Sequence, residues 1–277
     1  MYNFEMIKCL NIPRTQYNNM KIHQIYTDNN LRNFTYVIEL KNRTALVVDP
    51  WSEQQVNDIL QKNKLKLTTI INTHEHWDHV QGNDALVKQY NCEVWAHENG
   101  IDKIPHLSHS FSEHEKVNLE ADVIMEVIET PGHCHAHLCF IIHIKGKAEY
   151  IFTGDILFNA GVGNCHDGDV NEMYTTIKDK FQTLPSDITI LPGHEYLENN
   201  LKFTLDREPS NTVAKKWLEK YKQSDIHNKP LTTTMADERE INTFLRLKSD
   251  EIIKNLPNQT PGDKEVFIQL RALRDKW

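Results

Sequence analysis

Thr73-His74-Glu75-His76-Trp77-Asp78-His79 places three imidazoles and a carboxylate within six residues, a density of divalent-metal ligands that solvated loops seldom reach. Leu67-Thr68-Thr69-Ile70-Ile71, just before it, is a short apolar, β-branched run that predicts a buried strand, so the ligands begin where a strand ends and a loop opens. In an extended stretch His74 and His76 point to one side and can grip one ion together. Asp78 and His79 follow a bend and are free to face a second ion. Any one of the fifteen histidines would by itself read as a surface side chain. Packed this closely, they read as half of a two-metal hydrolase site.

The rest of the chain supplies the other half in the same manner. Thr130-Pro131-Gly132-His133 follows the apolar run Val123 to Ile128 and puts His133 on a tight turn at a strand end, where it can complete a three-histidine set with His74 and His76. Glu149-Tyr150-Ile151-Phe152-Thr153-Gly154-Asp155 is again a strand, a glycine and a ligand, and the two oxygens of Asp155 suit it to bridge two ions. Ile188-Thr189-Ile190-Leu191-Pro192-Gly193-His194 repeats the pattern and offers His194 to the second ion beside Asp78 and His79. Four strand ends thus deliver seven ligands.

The order His-x-His-x-Asp-His, Pro-Gly-His, Thr-Gly-Asp and Gly-His resembles the metallo-β-lactamase superfamily, and within it the glyoxalase II enzymes, the hydroxyacylglutathione hydrolases. Upstream, Ala45-Leu46-Val47-Val48-Asp49-Pro50 is similar to the family's strand ending in Asp-Pro, which makes Asp49 a candidate to orient a ligand histidine from behind. Downstream, Phe158, Ala160-Gly161-Val162-Gly163, His194-Glu195-Tyr196 and Asn199-Asn200-Leu201-Lys202-Phe203 follow the glyoxalase pattern. The resemblance implies that Tyr196 contacts glutathione. One stretch departs: where the family carries a basic residue, an aromatic and a Glu-Gly-Thr run, this chain has Asn164-Cys165-His166-Asp167-Gly168-Asp169. A cation that would seat glutathione is missing there, and Asn164 and His166 stand in its place as hydrogen-bonding candidates.

From about Leu197 the sequence turns polar and helix-like, with Val213 to Leu218 and Glu251 to Leu256 at helical spacing, and it ends in Phe267-Ile268-Gln269-Leu270-Arg271-Ala272-Leu273-Arg274-Asp275-Lys276-Trp277. In a helix Arg271 and Arg274 share a face, and two guanidinium forks suit a carboxylate. Alone, such a pair equally suits a basic last turn complementing the helix dipole; similarity to glyoxalase II implies instead a pair that holds the glycine carboxylate of glutathione.

Composition narrows the partners. With 31 basic and 39 acidic residues, net charge −8, the chain is a poor match for nucleic acid or an anionic membrane. Five cysteines, Cys9, Cys92, Cys134, Cys139 and Cys165, form no C-x-x-C pair and suit a reducing, cytoplasmic setting. No stretch approaches the roughly 20 apolar residues of a membrane span, and the first twenty residues lack the apolar core of a signal peptide.

The resemblance implies an α+β fold, a four-layer αβ/βα sandwich with the metals at one edge of the paired sheets. Residues 1–19 read as an N-terminal extension, 20–194 as the metal-binding domain and 195–277 as a helical substrate-binding domain; Gln54 to Gln61 and Asn83 to Tyr90 are expected as outer helices. The expected cofactors are two divalent ions per chain, zinc first, with iron or manganese also compatible. His74, His76 and His133 would hold one ion and Asp78, His79 and His194 the other, with Asp155 and a water or hydroxide bridging; Asp78 and Asp155 are the carboxylates on which catalysis would turn. The expected reaction is hydrolysis of a glutathione thioester such as S-D-lactoylglutathione by a monomer. Glu75 and Trp77 read as supporting or packing residues. Rival readings are another hydrolase of the superfamily acting on a different thioester, a lactam, lactone or phosphodiester, a mononuclear-iron persulfide dioxygenase, and a zinc-stabilised binding module without turnover. Arg271, Arg274 and the helical region weigh against the first, the long C-terminal region and the Asp78-His79 pair against the second, and open ligation without cysteine against the third.

Overall fold

The central strand stretches of this chain, such as Ala45 to Val48 and Leu138 to Ile142, are continuous apolar runs, the pattern of sheets covered on both faces. The computed structural model describes residues 10–11, 20–259 and 262–277. Strands β1 (Leu10–Asn11), β2 (Lys21–Tyr26), β3 (Phe34–Glu39), β4 (Thr44–Val48), β5 (Lys66–Ile71), β6 (Glu93–His97) and β7 (Leu107–Phe111) form one sheet in chain order. It is antiparallel from β1 to β4 and parallel from β4 to β7. Strands β8 (Lys116–Glu120), β9 (Val123–Glu129), β10 (Leu138–Ile144) and β11 (Lys147–Gly154) lead through a small hairpin, β12 (Leu157–Phe158) and β13 (Gly161–Val162), to β14 (Thr189–Pro192). The second sheet runs β14-β11-β10-β9-β8, with β11 and β14 parallel.

The faces of the two sheets bury one another. Tyr36, Ile38, Leu46 and Val48 meet Val127, Phe140, Ile142 and Phe152 across the interface, and each such side chain taken out of water contributes ~1.5–3 kcal/mol. Helices α1 (Glu53–Asn63), the short α2 (Trp77–Val80) and α3 (Asn83–Tyr90) follow β4 and β5. Val56, Ile59 and Leu60 of α1 and Leu86 of α3 cover the outer face of the first sheet. The α1 start is set by Ser52, whose side chain accepts the Gln55 N–H, and its end by Lys64 in the left-handed region. The expected outer helices are thus present, α1 extending beyond Gln54 to Gln61 at both ends.

Helices α4 (Val170–Thr176), α5 (Leu197–Arg207), α6 (Thr212–Lys222), α7 (Met235–Ile241), α8 (Asp250–Lys254) and α9 (Asp263–Arg274) complete the chain. Met173 of α4 and Val266, Phe267 and Leu270 of α9 pack with Ile141, Ile151 and Ile190 of the second sheet, so the C-terminal helices share a core with that sheet. Leu197 and Leu201 of α5 pack with Ala214 and Tyr221 of α6 in a smaller cluster. The result is the four-layer α+β sandwich with added helices. Helix α8 is shorter than the Glu251 to Leu256 spacing suggested, ending at Lys254 with Asn255 as its cap. The expected extension, residues 1–19, lies outside the described residues except for Leu10–Asn11, which pair with β2. No helix among the described residues is long and apolar enough to cross a membrane.

Candidate metal centre

Four strand ends converge at one edge of the paired sheets. β5 releases the chain toward His74, β9 toward His133, β11 into Asp155 and β14 into His194. Two glycines make this crowding possible. Gly154 turns the chain into Asp155 at φ +45, where a Cβ would also stand 2.6 Å from Thr73 Oγ1. At Gly193 a Cβ would stand 2.3 Å from Asp155 Oδ1 and 2.8 Å from a ring carbon of His79.

The seven side chains fall into two groups of three and one between them. His76 Nδ1 lies 3.0 Å from His74 Nε2 and 2.9 Å from His133 Nε2. In the second group His79 Nε2 is 3.2 Å from His194 Nε2, and Asp78 Oδ2 is 3.4 Å from each of them. Asp155 reaches both groups: Oδ2 lies 3.1 Å from His194 Nε2 and 3.7 Å from His133 Nε2, and Oδ1 lies 3.5 Å from His79 Nε2. Within each group of three, one ligand atom from each residue lies within 4.8 Å of the others.

The outer ring nitrogens show which way these imidazoles face. His133 Nδ1–H donates to the Asn164 carbonyl and His194 Nδ1–H to the Leu31 carbonyl, both at 2.8 Å. His79 Nδ1 pairs with Asp49 Oδ2 at 2.9 Å and His76 Nε2 with Asp167 Oδ2 at 3.0 Å. His74 Nδ1 meets Thr73 Oγ1 at 2.9 Å, and that hydroxyl donates to Asp49 Oδ2 at 2.6 Å. With every outer nitrogen occupied, all five imidazoles turn the other nitrogen inward, the ligand-orienting pattern of metal centres. Lone pairs at about 3 Å repel unless a cation stands among them.

Charge tells the same story. Burial, with the charge of His79 adding to it, holds His74 well below the ordinary imidazole range, and burial lowers His133. For His79 burial works downward but is outweighed by Asp155 and Asp49, so its pKa stands well above the usual value. Asp155 is raised by burial and pulled further down by His194 and His79, which keep it ionised. The carboxylates therefore call for positive charge. Asp155 Oδ1 is buried without a hydrogen-bond partner, an orphan acceptor that costs free energy unless a cation takes it. The donor set, nitrogen and oxygen with open positions, fits divalent metal of a catalytic kind.

Asp49, the residue after β4, stands behind candidate ligands of both groups, touching His79 directly and His74 through Thr73; it adopts φ +48 and also accepts the Thr73 N–H at 2.8 Å. Other supports escaped the sequence reading. Asn33 Nδ2 donates to Asp78 Oδ2 at 2.8 Å. His137 stacks on His74 and, through Nε2, accepts the Asp155 N–H at 3.1 Å, while Nδ1 meets Thr130 Oγ1 at 2.8 Å. Its repeat in His133-Cys134-His135-Ala136-His137 was the available signal. Glu75 turns away from the centre to Lys103, 3.1 Å, and the Cys134 thiol. Trp77 is not packed inside: it is 60 % exposed, against the ring of Trp51.

The substrate-side residues divide unevenly. Tyr196 lies parallel to the His194 ring, with centroids 4.9 Å apart, and edge-on to Phe158. Asn164, half-buried, and His166, exposed, lie on the His133 side, where Asn164 Oδ1 accepts the His166 N–H. The two arginines do not form the paired fork expected of them. Arg271 is buried and donates through Nη1 to the carbonyls of Val162 and Gly163 at 3.0 and 2.8 Å, with Asp275 2.9 Å from Nη2. Its fork is spent on the protein. Arg274 is less committed: it approaches Asn200 Oδ1 at 3.4 Å and the rings of Phe203 and Trp277, and its charge is felt at the Tyr196 hydroxyl.

Comparison with known proteins agrees with this architecture. Residues 29–194 match the family model of the metallo-beta-lactamase superfamily, and residues 195–277 match that of the hydroxyacylglutathione hydrolase C-terminus. A hydroxyacylglutathione hydrolase of Nitrosococcus oceani is 41 % identical over 93 % of this chain and 100 % of its own length. A cytoplasmic hydroxyacylglutathione hydrolase of Arabidopsis thaliana is 30 % identical over 88 % and 95 %. Among solved structures, ETHE1 from Myxococcus xanthus superposes with a TM-score of 0.62 at 24 % identity, covering 91 % of this chain and 97 % of that one. The BLEG-1 B3 metallo-beta-lactamase superposes with a TM-score of 0.61 at 18 % identity, covering 81 % and 99 %; at these identities the likeness is one of fold. From its strand-end ligands to its C-terminal helices, the chain belongs to the hydroxyacylglutathione hydrolases of the metallo-beta-lactamase superfamily.

Proposed function

We propose that this enzyme hydrolyses S-(2-hydroxyacyl)glutathione thioesters, S-D-lactoylglutathione among them, to the 2-hydroxy acid and glutathione, using two divalent ions per chain, zinc first among the candidates. The observation that carries the reading is the inward turn of all five imidazoles around Asp155, whose buried Oδ1 accepts no hydrogen bond. His74, His76 and His133 would hold one ion, Asp78, His79 and His194 the other, and Asp155 stands between them. Bound there, the ions supply Lewis-acid chemistry, bringing the pKa of a water to about 7 and polarising a carbonyl.

The protein's own groups do the rest. Asp49 fixes the tautomers of His79 directly and of His74 through Thr73, so their inward nitrogens are pre-set and no reorganisation accompanies the reaction. Asp155, kept ionised and held by the His137 contact to its N–H, is a fixed negative wall between the two groups. Tyr196, stacked on His194, offers the substrate an aromatic surface at the second group, and Arg274 behind it is the cation available to a glycyl carboxylate. Asn164 and His166 would meet the thiol portion on the His133 side. The leaving group is a thiolate of a thiol with pKa about 8.5, so departure needs no dedicated proton donor.

The same features bear on the setting. The unpaired cysteines Cys92, Cys134, Cys139 and Cys165 support a reducing, cytoplasmic location. The only exposed large hydrophobics among the described residues, Trp77, Ile101 and Trp277, are few, which supports a monomer. Net charge −8 gives no support to a nucleic-acid partner. The test is thiol release from S-D-lactoylglutathione beside opening of a β-lactam and a lactone. Turnover confined to the thioester is expected; preference for either ring substrate would refute the assignment.

A further inference from the structure

Each group of three ligands is connected to the C-terminal helices through one arginine. On the second group's side, Leu31, Arg32 and Asn33 form a continuous brace: the Leu31 carbonyl accepts from His194, Asn33 donates to Asp78, and Asn33 pairs with His194 as an isolated antiparallel bridge. Between them Arg32, at φ +62, sends its guanidinium the other way. Its Nη2 donates to the Tyr221 hydroxyl of α6 at 2.9 Å and pairs with Glu195, whose Oε2 also accepts from Tyr221 at 3.0 Å. The Glu195 N–H in turn donates to the Arg32 carbonyl at 2.9 Å, so residues 31–33 and 193–195 are locked together from both sides.

On the first group's side the counterpart is Arg271 of α9. It grips the carbonyls of Val162 and Gly163, and the next carbonyl along, that of Asn164, is the one that orients His133. A buried guanidinium spent on two backbone carbonyls costs desolvation unless the geometry is held closely. Both connections therefore run from helix to arginine to a backbone carbonyl to a ligand imidazole.

We propose that Arg32 and Arg271 are positioning residues that couple docking of the C-terminal helices to the metal ligands, each acting on one ion: Arg32 through His194 and Asp78, Arg271 through His133. The inference rests on the two-ion reading above and adds a division of labour to it. A hydrogen-bond partner one step behind a metal ligand is worth ~10–100-fold in metal affinity, and a residue two steps behind acts at the low end of that range.

The test uses the full chain loaded with zinc, equilibrated against graded chelator and crystallised, with the anomalous occupancy of each half-site refined. Arg32→Gly removes the guanidinium while leaving φ +62 accessible, since glycine adopts it freely. It is expected to release the ion at Asp78, His79 and His194 at about tenfold lower chelator, with the other ion unchanged. Arg271→Met should do the reverse. Tyr221→Phe, which keeps the ring and removes only the hydroxyl, should shift the second ion in the same direction as Arg32→Gly by about two- to fivefold, and Asp275→Asn, which weakens the hold on the Arg271 guanidinium, should shift the first ion by a similar factor and carries that arm should Arg271→Met fail to fold. General weakening of the fold would move both ions together, so equal loss at both half-sites, or no loss in Arg32→Gly and Tyr221→Phe, overturns the proposal. Wild-type protein that never takes up two ions overturns the two-ion reading and the proposal with it.

Discussion

The two groups of candidate ligands are built differently although Asp155 lies within reach of both. His74, His76 and His133 are all imidazoles, and His76, its side chain 24 % exposed, pairs with Asp167 on an exposed loop. Asp78, His79 and His194 include a carboxylate and are buried, and their outer partners, Asp49, Asn33 and the Leu31 carbonyl, belong to the first sheet and the brace before β3. The second half is thus anchored in the core and carries its own charge. The first half opens toward solvent beside Asn164 and His166, where this chain departs from the family pattern. A site can vary its substrate side while the charged half stays rigid.

Removing the shared member tests the comparison most severely. Asp155→Ala should take the protein from two bound ions toward none and lower kcat/KM by about 10³-fold, ~4 kcal/mol of transition-state stabilisation; two ions retained on metal analysis would deny the bridge. Asp49→Asn removes the acceptor behind both halves and should cost ~10–100-fold in metal affinity, more at the second group, because His79 touches Asp49 directly and His74 reaches it through Thr73. Chelator titration showing a larger loss at the first group would reverse that ranking.

The hairpin that leads to Asn164 offers a pH-dependent probe of the first half. Glu238 of α7 accepts the Ala160 N–H, the Thr233 hydroxyl and Asn242 Nδ2, and burial, partly offset by these bonds, raises its carboxyl from 4.5 to about 7. A carboxyl that binds its proton more tightly when folded contributes stability that is complete below pH 4.5 and lost as pH rises through 7, a swing of ~3 kcal/mol. Urea unfolding of Glu238→Gln between pH 5 and 8 should show a flatter profile than wild type; parallel profiles would assign the pH dependence elsewhere.

Smaller effects separate binding from chemistry. Arg274→Ala should raise KM for a glutathione thioester by ~10-fold and leave a small thioester lacking the glycyl carboxylate nearly unchanged; equal losses on both would remove Arg274 from substrate recognition. Asp167→Ala, which deletes an exposed partner of His76, should weaken only the first ion, by less than ~10-fold.

What the sequence made legible was whatever is local. The apolar runs before His74, His133, Asp155 and His194 became strands β5, β9, β11 and β14, and the candidate ligands sit in the turns after them, because strand, turn and candidate ligand are contiguous in the chain. The partners behind the ligands were mostly not legible. Asn33 and Asp78 are 45 residues apart and meet only when the sheet edge closes, and the role of His137 shows only once its lone pair is seen spent on the Asp155 N–H. The contacts of Arg271 were hidden for a related reason. Helical spacing puts it on a face with Arg274, but which groups that face meets depends on how α9 packs on the second sheet, and the packing turns Arg271 inward.

The central claim is that two half-sites act together, and a metal titration tests it most directly. Chelated, ion-depleted protein would receive zinc in known increments while thiol release from S-D-lactoylglutathione is followed. The account predicts that turnover keeps rising until two ions are bound per chain. Full activity at one ion per chain, with the second adding nothing, would contradict it.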